Sequence, residues 1–197
     1  MTDWDEGARE ALRGAASLGR GAAGVELLRV RPLEPVLQYA GDVLVAALGQ
    51  TVPEARPLAE KCLQALDARG EAGDRELAEQ LVQALGDGAG EGERLAPVPI
   101  DLGELAGALY GRLGDGPFVL DLALGDVVPA DEAFGELLCE EPGDDRERWL
   151  TLSPEPAAPG VPTDASPDAL FVREERERGR ARLWLAAYGL RPSPRRL

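Results

Sequence analysis

Nine carboxylates crowd positions 121 to 145: Asp121, Asp126, Asp131, Glu132, Glu136, Glu140, Glu141, Asp144 and Asp145. Paired acids of this kind can hold Mg²⁺ or Ca²⁺, or divide general-acid and general-base work between them. A carboxylate-dependent, metal-binding hydrolase built on residues 121–145 is therefore the enzymatic reading of the chain. The pattern around them favours a plainer one. Asp121 alternates with Leu120 and Leu122, which turns it away from their face, and Asp126 falls in a turn. No D-x-[DN]-x-[DN]-G calcium loop occurs, so a solvated acidic face is expected.

Other chemistry is excluded by residue type. The chain has 197 residues and no histidine, which removes Ser-His-Asp and Cys-His nucleophiles, histidine zinc ligands and an imidazole proton shuttle. It has no asparagine, hence no N-glycosylation sequon. Cys62 and Cys139 form no CxxC pair and are expected to be buried thiols. The glycines from Gly86 to Gly92 follow a helix, lack a Lys-Ser/Thr ending and bring acids that repel phosphate. Ser153 has no base beside it. No catalytic, cofactor-binding or metal-binding residue is assigned, and no cofactor is called for.

A formal charge of −15, from 36 acidic and 21 basic side chains, opposes general binding to nucleic acid. The charge is uneven. Residues 171–197 hold eight Arg against three Glu, so this end is expected to fold back onto the acidic body. Arg173, Arg176, Arg180, Arg195 and Arg196 are the candidate interaction surface for a partner. Between Arg173 and Arg182, Glu and Arg stand three to four residues apart, the spacing of an exposed, ion-paired helix. The acidic start Met1-Thr2-Asp3-Trp4-Asp5-Glu6 is unlike a signal peptide, and the apolar run Val43 to Leu48 is too short to cross a bilayer. A cytoplasmic protein without membrane contact is expected. Twenty Arg to one Lys suggests a GC-rich bacterial genome.

The elements that carry these residues divide at a linker. Residues 1–85 read as a helical bundle. Trp4, Ala8, Leu12 and Ala15 form one stripe, and the Gly-rich piece Gly19 to Gly24 interrupts the helical run. Helices follow near 34–48, 54–68 and 74–85, with Pro35 and Pro57 in first turns and Asp74 as an N-cap. Residues 86–97, with four glycines and three acids, form a solvated linker. Residues 98–190 make a small α+β domain. Asp101 and Glu104 open a helix from Leu102 to Arg112, residues 117–129 form a β-hairpin, and Arg148 to Leu152 supplies a third strand. A Pro-rich loop covers 153–167, and a closing helix from Asp168 or Arg173 to Tyr188 packs through Ala181, Trp184, Leu185 and Tyr188. Residues 191–197 form a frayed basic tail.

Four pieces in order carry a resemblance: Ile100-Asp101-Leu102-Gly103-Glu104-Leu105-Ala106, then Phe118 to Pro129, then Arg148-Trp149-Leu150, and finally Glu175 to Ala186. Together they resemble the bacterial uncharacterised protein family numbered zero-one-five-eight, as a shortened or divergent member. The resemblance implies a mixed α/β fold, a bacterial cytoplasmic setting, and no named reaction. This chain departs from the family at Leu124, where a Thr is usual. It departs again at Ser153 to Pro167, where the family carries a helical, aromatic-containing segment.

The sequence thus specifies an α+β protein with a helical N-terminal half, then a small domain with a β-hairpin, a third strand and a C-terminal helix. Its functional reading is a non-catalytic cytoplasmic protein acting through protein–protein contacts, with a regulatory role. The partner is an unidentified protein, and the sequence names no oligomeric state.

Overall fold

A computed structural model describes residues 3–86, 95–114, 116–137, 148–152 and 166–193. The N-terminal half is built around one apolar helix, α3 (Leu37–Gly49), entered through a 3₁₀ turn at Glu34–Val36. Val36 at its entry and Ala40, Val43, Leu44 and Ala47 along it are wholly buried. The surrounding helices are α1 (Glu6–Ser17), α2 (Gly21–Leu28), α4 (Ala55–Arg69) and α5 (Asp74–Leu85). Each turns one stripe inward, including Leu12, Val25, Cys62, Leu66, Leu77 and Leu81. Burying a leucine of this kind contributes roughly 1.5–3 kcal/mol. Asp5 caps α1 by accepting the Ala8 amide at 2.8 Å.

The Gly-rich piece ends the first helical run at Gly19, which takes φ +60° after α1 closes at Ser17, and its later residues begin α2 at Gly21. Gly21 and Gly24 are contact residues rather than breakers. A Cβ on Gly21 would lie 2.4 Å from Ala47 Cα, and one on Gly24 would lie 2.2 Å from Val43 Cγ1. The missing side chains let α2 lie directly on α3. Asp74 also differs from expectation: it occupies the first turn of α5 behind Gly73, and it accepts the Glu71 amide at 2.9 Å.

The second half is α+β, as expected. Helix α6 (Leu102–Leu109) is capped by Asp101, which accepts the Gly103 amide at 2.7 Å. Strands β2 (Phe118–Asp121), β3 (Val127–Pro129) and β4 (Trp149–Leu152) form an antiparallel sheet in the order β3-β2-β4. Asp121 pairs with Trp149 in register and Leu120 with Leu150. Phe118 and Leu120 face a core with Leu105, Leu109, Leu152 and Leu185. Val119 points the other way, against Ala130 and Ala133 of α7 (Ala130–Leu137). The central strand is covered on both faces, so alternation here does not separate core from solvent.

Two short strands extend this half at its ends. β1 (Ala96–Val98) and β5 (Leu190–Pro192) pair in parallel, with Ala96 opposite Leu190 and Val98 opposite Pro192. Residues 96–97 of the expected linker and 191–192 of the expected tail are therefore paired strand; residues 87–94 and 194–197 lie outside the described residues. The Pro-rich loop also lies outside them, apart from Ser166 and Pro167; the latter begins α8 (Pro167–Ala187).

Helix α8 belongs to both halves. It is 21 residues long, about 32 Å at 1.5 Å per residue, with Ser166 as N-cap. Phe171 sits in the bundle core, while Ala181 and Leu185 sit in the second core. Of its expected anchors, Trp184 packs at the core edge, but Tyr188 is 52% exposed, tilted against Trp184 at 4.6 Å.

Candidate functional site

The residues that could do chemistry converge on the inner face of α8. Phe171, Glu175, Arg178, Arg182 and Leu185 recur at four- and three-residue steps, a single helical stripe with apolar ends and a charged middle. This stripe is buried: Glu175 is 3% exposed, Arg178 4% and Arg182 1%. The expected solvated helix is thus overturned on this face. Buried charges need partners, and the bundle supplies them.

Glu175 takes up the open end of α3. The N-cap position, Val36, offers no side-chain acceptor. The Glu175 carboxyl instead accepts the Gln38 amide on one oxygen and the Tyr39 amide, at 3.4 Å, on the other. It caps in trans the amides that a helix N-terminus leaves without partners. Arg69 Nη1 stands 3.4 Å from the same carboxyl, while Arg69 Nε and Nη2 hold Asp74 at 2.9 and 2.5 Å. Burial pushes Glu175 up to about 7, against the pull of the two amides, Arg69 and Arg178.

Arg182 spends its guanidinium on three partners. Nε donates to Gln38 Oε1 at 2.9 Å, Nη1 to Gln80 Oε1 at 2.9 Å, and Nη2 to Asp42 Oδ1 at 2.6 Å. Arg178 donates to Asp42 Oδ2 through Nε at 2.9 Å, and its Nη2 pairs with the same oxygen at 2.7 Å. Gln38 closes the circuit by donating from Nε2 to Asp74 at 2.9 Å. Burial works to raise the Asp42 pKa, but Arg182 and Arg178 hold it below the ordinary carboxylate value. Arg178 also lies over the Tyr39 ring at 4.6 Å, and Phe171 stacks on that ring at 5.6 Å. The basic end does fold onto the acidic body, chiefly through Asp42.

One close approach sets how near α8 can come. Gly73 has φ +82°, a left-handed conformation that suits glycine, and its missing Cβ would lie 2.1 Å from Gly179 O. A Cβ on Gly179 would meet Ala72 O at 2.3 Å. Backbone therefore touches backbone where the α4–α5 turn crosses α8.

The other sequence candidates are placed as follows. Arg173 turns back to Glu177 at 2.5 Å, and Glu177 is itself buried with Arg112 at 3.0 Å. Arg176 is exposed, 3.4 Å from Glu71. Arg180 is exposed and has no ion-pair partner among the described residues. Arg195 and Arg196 lie outside those residues. Asp121 is not on a solvated face. It is 1% exposed, its Oδ2 is held by Arg148 Nη2 at 2.5 Å, and its Oδ1 accepts the Ala123 amide at 2.8 Å. Burial is opposed by these bonds, which keep its pKa low. Asp131 and Glu132 are exposed on α7; the Glu136 side chain and Glu140, Glu141, Asp144 and Asp145 lie outside the described residues.

Little of this arrangement is set up for reaction. The buried carboxyls of the α8 network are bound to guanidinium or amide groups. No cluster of three metal-capable side chains occurs among the described residues. Burial pushes the Cys62 thiol up to about 12, with Glu175 adding to the effect, which suppresses the thiolate; Cys139 is outside the described residues. No helix among the described residues is long and apolar enough to cross a membrane.

The buried network was missed by charge-spacing arguments on α8 alone. A signal lay in α3, where Gln38 and Asp42 stand four residues apart inside an otherwise apolar helix. Polar groups so placed require buried partners. No protein-family model, curated protein or solved structure matches the chain.

Proposed function

We propose that this is a non-catalytic, regulatory protein that acts by binding another protein through the outward face of α8. The observation that carries the reading is the contrast between the two faces of that helix. The inner face is consumed in holding the two halves together. The outer face presents Val172, Arg176, Arg180 and Leu183 within one arc of the helix, with Val172 and Leu183 each 41% exposed. On a chain with a net charge of −15, this is a local basic and apolar strip. Its complement is a protein segment that offers carboxylates flanked by apolar side chains. The reading extends to a bacterial cytoplasmic protein: the arginine-rich, lysine-poor composition supports the origin, and the acidic start at Met1 to Glu6 supports the location. Membership of the family named above is part of the same proposal, supported by the order α6, β2–β3 hairpin, β4, α8.

The test is a crosslinked pull-down from bacterial lysate with the full chain and with the R176E/R180E variant. Both positions are exposed, so the reversal leaves the buried network untouched. A partner held by the wild type and lost by the variant, with capture weakening as salt rises, supports the reading. Equal capture by both removes α8 as the binding face.

A further inference from the structure

We propose that a small cavity with a polar side, where α1, α3, α5, α6 and α8 meet, is a hydration site, holding an ordered water that bridges Gln80, Asp101 and Arg178. The cavity measures about 30 Å³ and is lined by Ser17, Asp42, Gln80, Asp101, Arg178 and Ser193 among others. A water needs roughly 10–15 Å³ of such space and two to four polar partners.

Two independent features point into this site. Gln80 is 6% exposed; its Oε1 accepts from Arg182, yet its Nε2 has no hydrogen-bond partner among the described residues. The amide cannot turn over to relieve this, because Arg182 is a donor only and requires the oxygen. The second feature is a gap. Arg178 Nη1 and Asp101 Oδ1 stand 3.9 Å apart, too far for a direct hydrogen bond and within the reach of a water between them.

The same residues select the occupant. A metal cation is refused by the Gln80 amide protons and the Arg178 guanidinium. An anion is refused by Asp42 and Asp101, both held ionised: burial opposes this, but Arg182 and Arg178 act on Asp42, and Arg178, Ser17 and the Gly103 and Glu104 amides act on Asp101. Only a group that both accepts and donates satisfies the ring. Water accepts from Gln80 and Arg178 and donates to the carboxylates. The joint between the two halves is then wet at its centre, with its ion pairs continued through solvent rather than closed directly.

Crystal structures of the full chain and of Gln80→Met, at a resolution that shows ordered water, test this. The wild type is expected to show a density peak about 2.7–3.2 Å from Gln80 Nε2 and from the Asp101 carboxylate. The variant is expected to lose it. An empty cavity in the wild type, or Gln80 Nε2 bonded to a protein acceptor, overturns the proposal. So does an anomalous peak at the site after a bromide soak, which would make it an anion site. If the variant fails to fold, water cross-peaks to the Gln80 side-chain amide in the NMR spectrum of the wild type decide the matter: their presence supports the bridge and their absence overturns it.

Discussion

Glu175→Gln keeps the size of the trans-cap and one of its two acceptor oxygens, and removes its titrating proton. In the native protein the Glu175 carboxyl, 3% exposed, titrates near 7 because burial disfavours its charge. In the unfolded chain it reverts to an ordinary value of 4.5. Between these two values the folded state holds a proton that the unfolded state has released. Stability therefore falls as pH rises through this window. The displacement from 4.5 to about 7 corresponds to on the order of 3 kcal/mol, fully present below pH 4.5 and lost above 7. The window is unusually clean, since the chain contains no histidine to titrate within it. The buried Asp42 and the carboxyls of Asp101 and Asp121 have lowered values, so their contributions are lost only as pH falls below the ordinary 3.8. Urea unfolding of wild type and E175Q at pH 5, 6, 7 and 8 reads the effect directly as midpoint shifts at constant slope. The wild type should lose stability across the series while E175Q stays nearly flat. A wild type that gains stability between pH 5 and 8, or a variant with the same slope, would refute the reasoning.

Further outcomes follow from the same packing. Arg182→Met leaves Asp42, Gln38 and Gln80 short of a buried donor and should cost about 3–5 kcal/mol in urea unfolding; a loss under 1 kcal/mol would show the pair to be dispensable. Gly179→Ala places a methyl 2.3 Å from Ala72 O, so α8 must shift, and destabilisation of about 1–3 kcal/mol or more is expected by thermal melting. In a Cys139→Ser background, Cys62 should resist disulfide reagents at pH 8 until denaturant unfolds the bundle, and rapid native-state labelling would contradict its burial.

The helices near 34–48, 54–68 and 74–85, the helix opened at Leu102 and the closing helix were legible because their apolar stripes repeat at the helical period, and the cap at Asp101 follows local chemistry; α7 was not read from the sequence. The hairpin and third strand were legible from alternation. What stayed hidden depended on distant residues. Gly21 and Gly24 read as breakers until Val43 and Ala47 are seen against them. Asp121 read as exposed because nothing nearby reveals Arg148 as its partner, or that α7 covers Val119 on the same face of the strand. β1 and β5 are three residues each and pair across almost the whole second half, beyond any local pattern. On α8, the same Glu and Arg spacing suits solvent on one face and buried partners on the other. Only Gln38 and Asp42, misplaced in an apolar helix, told which.

The trans-cap also sets a schedule for biosynthesis. Glu175 lies 137 residues after Gln38, whose amide it accepts. At translation rates of roughly 5–20 residues per second, the first turn of α3 waits about 7 to 27 s for its cap. During that interval the emerging bundle displays the groove that will receive α8, with Asp42, Asp74 and two backbone amides still hydrated. The buried contacts of the bundle are thus completed only by a helix made near the end of synthesis.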